Sequence, residues 1–142
     1  MPEAIKHLVA GERINAHLGK PIGPYTHGVI SSGDRLLWVA GQVAWDQEGN
    51  IVGKGDFEAQ YRHIMQSIEA VVLDAGGEMR NVCKLVNYVT FTMLRGDEAY
   101  KTLASVRGEF IPEDSPAVST LVEVASLMDS DAIVEVDAVV AL

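Results

Sequence analysis

The sequence has little of what several protein classes require, and cysteine is the scarcest residue. Its single cysteine, Cys83, cannot form an internal disulfide, so a reducing, cytoplasmic setting is the simplest expectation. No apolar run approaches the ~20 residues that cross a bilayer, and residues 1–15 lack the basic start and continuous apolar middle of a secretory signal. We therefore expect a cytoplasmic protein with no membrane partner.

Basic residues are also scarce. The chain has 11 lysines and arginines against 20 aspartates and glutamates, which gives a formal net charge of -9. Most non-specific affinity for nucleic acids comes from the attraction between basic side chains and phosphates. A nucleic-acid partner is therefore disfavoured.

Sequence patterns for metal, nucleotide and nucleophile sites are missing as well. The histidines and the cysteine form no close ligand pair such as HxxxH or CxxC, since they are scattered as His7, His17, His27, His63 and Cys83. The glycines after residue 50 lack phosphate-loop spacing, and no G-x-S-x-G elbow surrounds a serine. We expect no metal, no cofactor and no nucleophilic triad.

Length and hydrophobic patterning predict a single domain over residues 1–142. Asp56 is a predicted N-cap for a helix whose apolar residues recur at helical spacing until Gly76 and Gly77 close it. A second helix is predicted over residues 97–110. Its expected inner face consists of Tyr100, Leu103, Ala104 and Phe110.

Strands are predicted from period-two alternation at residues 26–31, 35–42, 82–93, 116–127 and 132–142. The first two form a hairpin, and the segment before residue 20 either covers a sheet edge or adds a short first strand. This order favours an α+β fold, a mixed sheet with both helices on one face. The other face needs a cover, and association with further copies of the chain is the simplest supply.

The last predicted strand carries a candidate proton-handling residue, Glu135. Alternation places Val134 and Val136 on one face and Glu135 with Asp137 on the other. A carboxylate among apolar neighbours resists ionisation and tends to have a raised pKa, which suits acid–base chemistry. The alternative interpretation is that Glu135 and Asp137 line a solvated face of the sheet.

Four further residues have structural interpretations of their own. Gly41 either lets a group approach the backbone closely or marks a β-bulge or sheet crossing. Cys83 is expected as a small core residue and His63 as a solvent-facing side chain. Trp45 is either a core residue or an aromatic wall of a cleft.

Several segments, in order, resemble the Rid (reactive intermediate deaminase) family, also labelled YjgF-type or L-PSP endoribonuclease. The resemblance covers about residues 21–142 and becomes specific through the ordered set, since no single segment is diagnostic. The segments are Gly23-Pro24-Tyr25, Val39-Ala40-Gly41-Gln42, the helix over residues 56–77 with Ala75-Gly76-Gly77, Val122-Glu123-Val124-Ala125 and Val134-Glu135-Val136-Asp137-Ala138.

The resemblance implies a chorismate-mutase-like α+β fold assembled as a homotrimer, with small-molecule sites in the clefts between subunits. Deaminating members of the family hydrolyse imines and enamines derived from amino acids to a keto acid and ammonia, without metal or cofactor. Carried over by position, Tyr25 lines the cleft, Gly41 offers backbone groups to the substrate, and Glu135 orients or activates the attacking water.

The sequence departs from the deaminating members at matched positions. Those members carry an arginine, in a Pro-Ala-Arg type motif, that pairs with the substrate carboxylate. Here Pro116-Ala117 is followed by Val118-Ser119-Thr120, so the arginine position is Val118 or Ser119, and neither forms a bidentate charged clamp. A small polar position of the family is Ala40, and a helix position that is often asparagine falls near Leu103. The sequence leaves open whether another arginine substitutes, the candidates being Arg35, Arg80, Arg95 and Arg107.

Three functions follow from these patterns. The first is a cofactor-independent hydrolase of the deaminase type, which acts on an imine, an enamine or a related substrate with the help of Glu135. The second is a catalytically inactive trimer that binds or senses a small molecule. The third is the endoribonuclease activity that the family label implies, which the acidic charge disfavours.

Overall fold

The fold is a six-stranded sheet with helices on one face. The computed structural model describes residues 5–20, 27–31, 35–90 and 97–142. Its strands are β1 (Ile5–Leu8), β2 (Gly28–Ser31), β3 (Leu36–Gln42), β4 (Val82–Thr90), β5 (Val118–Val124) and β6 (Val134–Ala141). Its helices are α1 (Glu12–His17), α2 (Phe57–Asp74) and α3 (Asp97–Gly108), with a 3₁₀ turn over Met79–Asn81.

The strands lie in the order β1-β2-β3-β6-β4-β5. All neighbours are antiparallel except β4 and β5, which are parallel and are joined through α3. The predicted mixed sheet and the hairpin of β2 and β3 are confirmed, and the segment before residue 20 contains a short first strand. The last strand, β6, lies near the centre of the sheet between β3 and β4. Any group on β6 is therefore held by two neighbouring strands.

Helix α2 covers the centre of the sheet and has the predicted ends. The Asp56 carboxylate accepts a hydrogen bond from the Ala59 N–H at 3.0 Å, which caps the first turn. At the other end Gly76 has φ of +81°, the left-handed region that glycine adopts without strain, and its N–H bonds the Leu73 carbonyl at 3.0 Å. The apolar stripe of α2 packs on β3 and β6, so it anchors the two strands that carry Gly41 and Glu135.

Helix α3 begins at the predicted residue, but its inner face differs from the prediction. Leu103 is buried as expected, whereas Ala104 is exposed and Val106 is fully buried. The buried face of the helix is therefore rotated from the predicted one. It contains Leu103 and Val106, which are three residues apart and lie on the same side of the helix. Phe110 follows the helix and packs against the core from a half-buried position, and the predicted side-chain role of Tyr100 falls outside the described residues.

Two predictions for single residues were wrong. Cys83 is exposed because the pairing of β4 with β6 shifts between Val82 and Lys84, a bulge that turns the thiol away from the core. His63 is half-buried: its ring lies 4.4 Å from that of His17, and its Nε2 donates to the Trp45 carbonyl at 2.8 Å. Burial is the main cause of a lowered pKa at His63.

A buried polar network ties α2, α3 and β4 together. The Arg107 guanidinium donates to the Tyr61 hydroxyl at 3.1 and 3.2 Å, and the hydroxyl donates to the Asn87 side chain at 3.3 Å. Asn87 in turn donates to the Ser119 hydroxyl at 3.1 Å and to the Thr120 carbonyl at 2.9 Å on β5. Tyr61 and Asn87 are both fully buried, so each depends on these partners.

We expect Tyr61→Phe to destabilise the fold by about 1 to 3 kcal/mol, because it removes the hydroxyl that accepts from Arg107 and donates to Asn87. The Asn87 side-chain oxygen then keeps only the longer bond from Arg107 at 3.4 Å. The measurement is the free energy of unfolding from a denaturant titration. An unchanged unfolding midpoint would contradict the assignment of this network to stability.

In the described part of the chain, no helix covers the second face of the sheet. Along β6 the valines under α2 are buried, whereas Glu135, Asp137 and Val139 face the other side and are half-buried. Trp38 on β3 is 49% exposed and Val118 on β5 is 65% exposed. The predicted uncovered face is confirmed. Within the described ranges, no helix has the length and apolar character needed to cross a membrane.

Candidate functional site

A cleft of about 400 Å³ lies between the end of β3, the loop that follows β3 and the segment before β6. Leu18, Val43 and Trp45 contribute apolar surface to it, and Met128 stands at its side with 85% of its surface exposed. Its polar lining includes Lys20, His27, Gln42, Asp46, Asp129 and Glu135. The cleft is large enough for a small organic molecule and combines apolar walls with a few polar groups, as ligand sites do.

Glu135 lies directly over the backbone of Gly41. The pairing of β3 with β6 shifts between Val39 and Gln42, which is a β-bulge at Ala40 and Gly41. A β-carbon built on Gly41 would stand 3.1 Å from the carboxyl carbon of Glu135 and closer still to Oε1. Both interpretations of Gly41 are therefore correct: the strand bulges there, and the missing side chain lets the carboxylate approach the backbone.

The environment of Glu135 favours its neutral form. Burial raises the pKa of Glu135, and the like charge of Asp137 on the same face raises this pKa further. Burial also raises the pKa of Asp137, against the Lys84 ammonium and a hydrogen bond from Tyr88, which favour its charged form. Tyr88 is the cross-strand partner of Glu135 in β4. A carboxyl whose pKa is raised toward neutrality can both accept and donate a proton.

We expect Asp137→Asn to lower the pKa of Glu135, because it removes the like charge and leaves burial as the main cause of the shift. The ionised form of Glu135 is lost as the pH falls through its pKa, so this loss should move to lower pH in the variant. The measurement is an NMR titration of the Glu135 side-chain carboxyl carbon. A midpoint that stays in place or rises would contradict the coupling.

Two carboxylates hold the walls of the cleft. Asp129 accepts from the Trp45 indole N–H at 2.9 Å, and this bond is the main cause of a lowered pKa at Asp129. Asp46 accepts from the backbone N–H groups of Glu48 and Asn50, both at 2.9 Å, and the bond from Asn50 is the main cause of its lowered pKa. The indole and the loop are therefore fixed in place by charged acceptors.

A model of the family described as endoribonuclease L-PSP matches residues 15–142. The chain belongs to the endoribonuclease L-PSP family. The match covers nearly the whole chain, and it confirms the resemblance to the Rid and YjgF-type proteins that the ordered sequence segments indicated.

Comparison with solved structures shows that this L-PSP family member has the same fold as Rid proteins and TdcF. YyfA of the Rid family from Yersinia pestis matches with a TM-score of 0.80 at 22% identity, over 98% of this chain and 100% of that chain. TdcF from E. coli, whose structure contains bound serine, matches with a TM-score of 0.75 at 22% identity, over 96% of this chain and 100% of that chain. RidA from the Antarctic bacterium Psychrobacter sp. PAMC 21119 matches with a TM-score of 0.73 at 23% identity, over 89% of this chain and 94% of that chain.

Three of the predicted site residues of this L-PSP family member meet in the cleft: Ala40, Gly41 and Glu135. Tyr25 lies outside the described residues. Leu103 is buried in the core, so it does not reach the cleft surface of its own chain. The remaining predicted residues, Val118, Ser119 and Thr120, lie on the edge strand β5 and are exposed outside this cleft.

Sequence reasoning missed part of the lining. Asp129 was not predicted, because it meets Trp45 across 84 residues of sequence and no local pattern links the two. His27 was seen only as an isolated histidine, yet it is buried beside the cleft with its Nε2 donating to the Gly19 carbonyl at 2.9 Å. In the part of the chain that the structure describes, no three His, Cys, Asp or Glu side chains are grouped to hold a metal ion.

Proposed function

We propose that the protein is a cofactor-independent hydrolase that converts an imine, or an enamine in equilibrium with one, to a carbonyl compound and ammonia. The observation that carries this proposal is the half-buried carboxyl of Glu135 over the bare backbone of Gly41, with a raised pKa, in a cleft of small-molecule size. An iminium carbon is already electrophilic, so a positioned water and one proton-exchanging group are sufficient for its hydrolysis.

The reaction balances with Glu135 as the one exchanging group. The ionised carboxylate takes a proton from a water as its oxygen bonds to the iminium carbon, which gives a neutral carbinolamine and a protonated Glu135. The carboxylic acid then returns this proton to the nitrogen, and the carbon–nitrogen bond breaks. As the carbonyl forms, its hydroxyl proton passes to the departing ammonia, so an iminium and a water become a carbonyl compound and an ammonium ion.

We further propose that a homotrimer supplies the rest of the site. The open sheet face exposes the apolar side chains of Trp38 and Val118, and association between subunits would bury them. In such a trimer the exposed β5 of one subunit, with Val118, Ser119 and Thr120, is available to complete the cleft of its neighbour. Sedimentation equilibrium is expected to give three times the mass of the chain. A monomer at micromolar concentration would contradict this assembly.

The test of the proposed function is ammonia release above the spontaneous rate from imines generated in the assay. We expect acceleration by the intact protein without added metal or cofactor. No acceleration, together with tight binding of an imine or amino acid, would instead assign a binding or regulatory role, for which the serine-bound TdcF structure is a precedent in that protein. The acidic lining of the cleft disfavours ribonuclease activity, because phosphates are repelled there.

A further inference from the structure

The cleft carries an excess of negative charge. The described lining includes four carboxylates, those of Asp46, Glu48, Asp129 and Glu135. Among the described lining residues, Lys20 is the one lysine or arginine. His27 also borders the cleft, and its ring donates a hydrogen bond to the Gly19 carbonyl. The imbalance agrees with the net charge of -9 for the whole chain and concentrates part of it at the candidate site.

Two of these carboxylates keep their charge for structural reasons. The Asn50 N–H is the main group that holds the pKa of Asp46 below its ordinary value, and the Trp45 indole N–H does the same for the pKa of Asp129. Neither carboxylate can move away from the cleft without giving up the bonds that fix the loop and the indole. The negative potential is therefore built into the walls.

The arginines that the structure describes do not offset this potential. Arg107 is bound to Tyr61 and Asn87 beneath the sheet, on the face opposite to Glu135. Arg80 pairs with Asp114 at 3.4 Å, and Arg35 is exposed outside the cleft lining. Position 118 contributes a valine that stands on the open face of β5. Within a single chain, no described arginine is placed to clamp a carboxylate in this cleft.

We propose that the substrate of this cleft carries no carboxylate and is an imine derived from a simple amine, bound as its iminium cation. The inference rests on the proposed function and narrows its substrate class. A cleft whose charged groups are mostly of one sign, with apolar walls, concentrates ligands of the opposite sign and repels those of the same sign. The apolar surfaces of Leu18, Val43 and Trp45 then contact the hydrocarbon part of the substrate. The hydrolysis is the balanced one given above, with ammonium as the product ion.

Among the described cations, Lys84 is the best candidate to bind a substrate carboxylate. It is the register partner of Val118 and faces the same side of the sheet as Glu135. Its ammonium acts on Asp137, where it opposes the effect of burial on the pKa of that carboxyl. Because Lys84 already has a carboxylate neighbour, it adds no net positive charge to that surface.

The experiment compares two imines that differ in one group. Propan-1-imine and 2-iminobutanoate are generated in place by oxidation of propylamine and 2-aminobutanoate, and the protein-dependent rate of ammonia release is measured for each. We expect kcat/KM to be at least about tenfold higher for propan-1-imine, with the ratio shrinking as salt screens the charges of the cleft. A preference for 2-iminobutanoate would overturn the inference, and loss of that preference in Lys84→Met would identify Lys84 as its anchor.

Matched charge-reversal variants distinguish the effect of charge in the cleft from the effect of the protein's net charge. Glu48→Lys changes an exposed lining carboxylate, and Glu78→Lys makes the same change at an exposed position outside the lining. We expect Glu48→Lys to shift the substrate ratio at least about threefold toward 2-iminobutanoate and Glu78→Lys to leave it unchanged. Equal shifts in both variants would overturn the inference. If the unmodified protein turned over neither imine, that result would instead contradict the proposed function itself.

Discussion

Replacing Glu135 with glutamine is expected to reduce imine turnover to the spontaneous rate. Glutamine keeps the size of the side chain and its place over Gly41, but it cannot take a proton from water or return one to nitrogen. Loss of a positioned general base typically costs about 10² to 10⁴ in rate. The measurement is the initial rate of ammonia release at pH 7, under conditions in which the unmodified protein exceeds the spontaneous reaction.

A stability measurement distinguishes this loss from misfolding. The pKa of Glu135 is raised in the fold, so the folded chain binds that proton more tightly than the unfolded chain. The stability that this proton contributes is present below the pKa of Glu135 in the unfolded chain and is lost as the pH rises through its pKa in the folded chain. At pH 7 the ionised carboxyl therefore lowers the free energy of unfolding. Glu135→Gln removes this cost, and we expect a melting temperature that is unchanged or higher.

The control for the charge is Glu78→Gln, which removes one carboxylate at an exposed position outside the cleft lining. It should retain the full rate. If Glu135→Gln keeps more than about a tenth of the unmodified rate, the acid–base role falls, since a general base contributes at least about 10².

Gly41→Ala is expected to lower kcat/KM by at least about 100-fold, because displacing a catalytic group by about 1 Å can cost that much. The added methyl group would meet the Glu135 carboxyl, with its carbon 3.1 Å from the new β-carbon. The carboxyl lies in a cleft and can turn outward, whereas the β-bulge fixes the backbone of Gly41. The variant should therefore stay folded while the carboxyl leaves its position.

Gly108→Ala is the matched control for this substitution. A β-carbon at Gly108 meets no atom within 4 Å, and the residue ends α3, where alanine is a good helix former. It should keep full activity. A Gly41→Ala protein as active as Gly108→Ala would show that the approach of Glu135 to the backbone is irrelevant to turnover.

The sequence was sufficient to predict the elements whose pattern is long and local. Helix α2 has a side-chain N-cap, a continuous apolar stripe and a closing Gly76, all within one segment. Strand β6 alternates without interruption, so the faces of Glu135 and Val136 follow from period two alone. The joint position of Gly41 and Glu135 came from the family resemblance, and the register of β3 with β6 accounts for it.

What could not be predicted depends on distant residues. Helix α1 was not foreseen because it has only 6 residues and no capping side chain of its own. The Asp74 carboxylate caps it from the end of α2, accepting from the Ile14 N–H at 2.8 Å. The exposed Cys83 follows from a bulge that depends on pairing with β6, and Asp129 enters the site only through Trp45. Each of these is a tertiary effect without a local sequence signal.

The proposed acid–base role of Glu135 in imine hydrolysis beside Gly41 can be tested with one substrate. The experiment is ammonia release from propan-1-imine, measured side by side for the unmodified protein, Glu135→Gln and the buffer alone. We expect a rate well above that of buffer for the unmodified protein and a rate equal to that of buffer for the variant. A variant as fast as the unmodified protein, or an unmodified protein no faster than buffer, would contradict it.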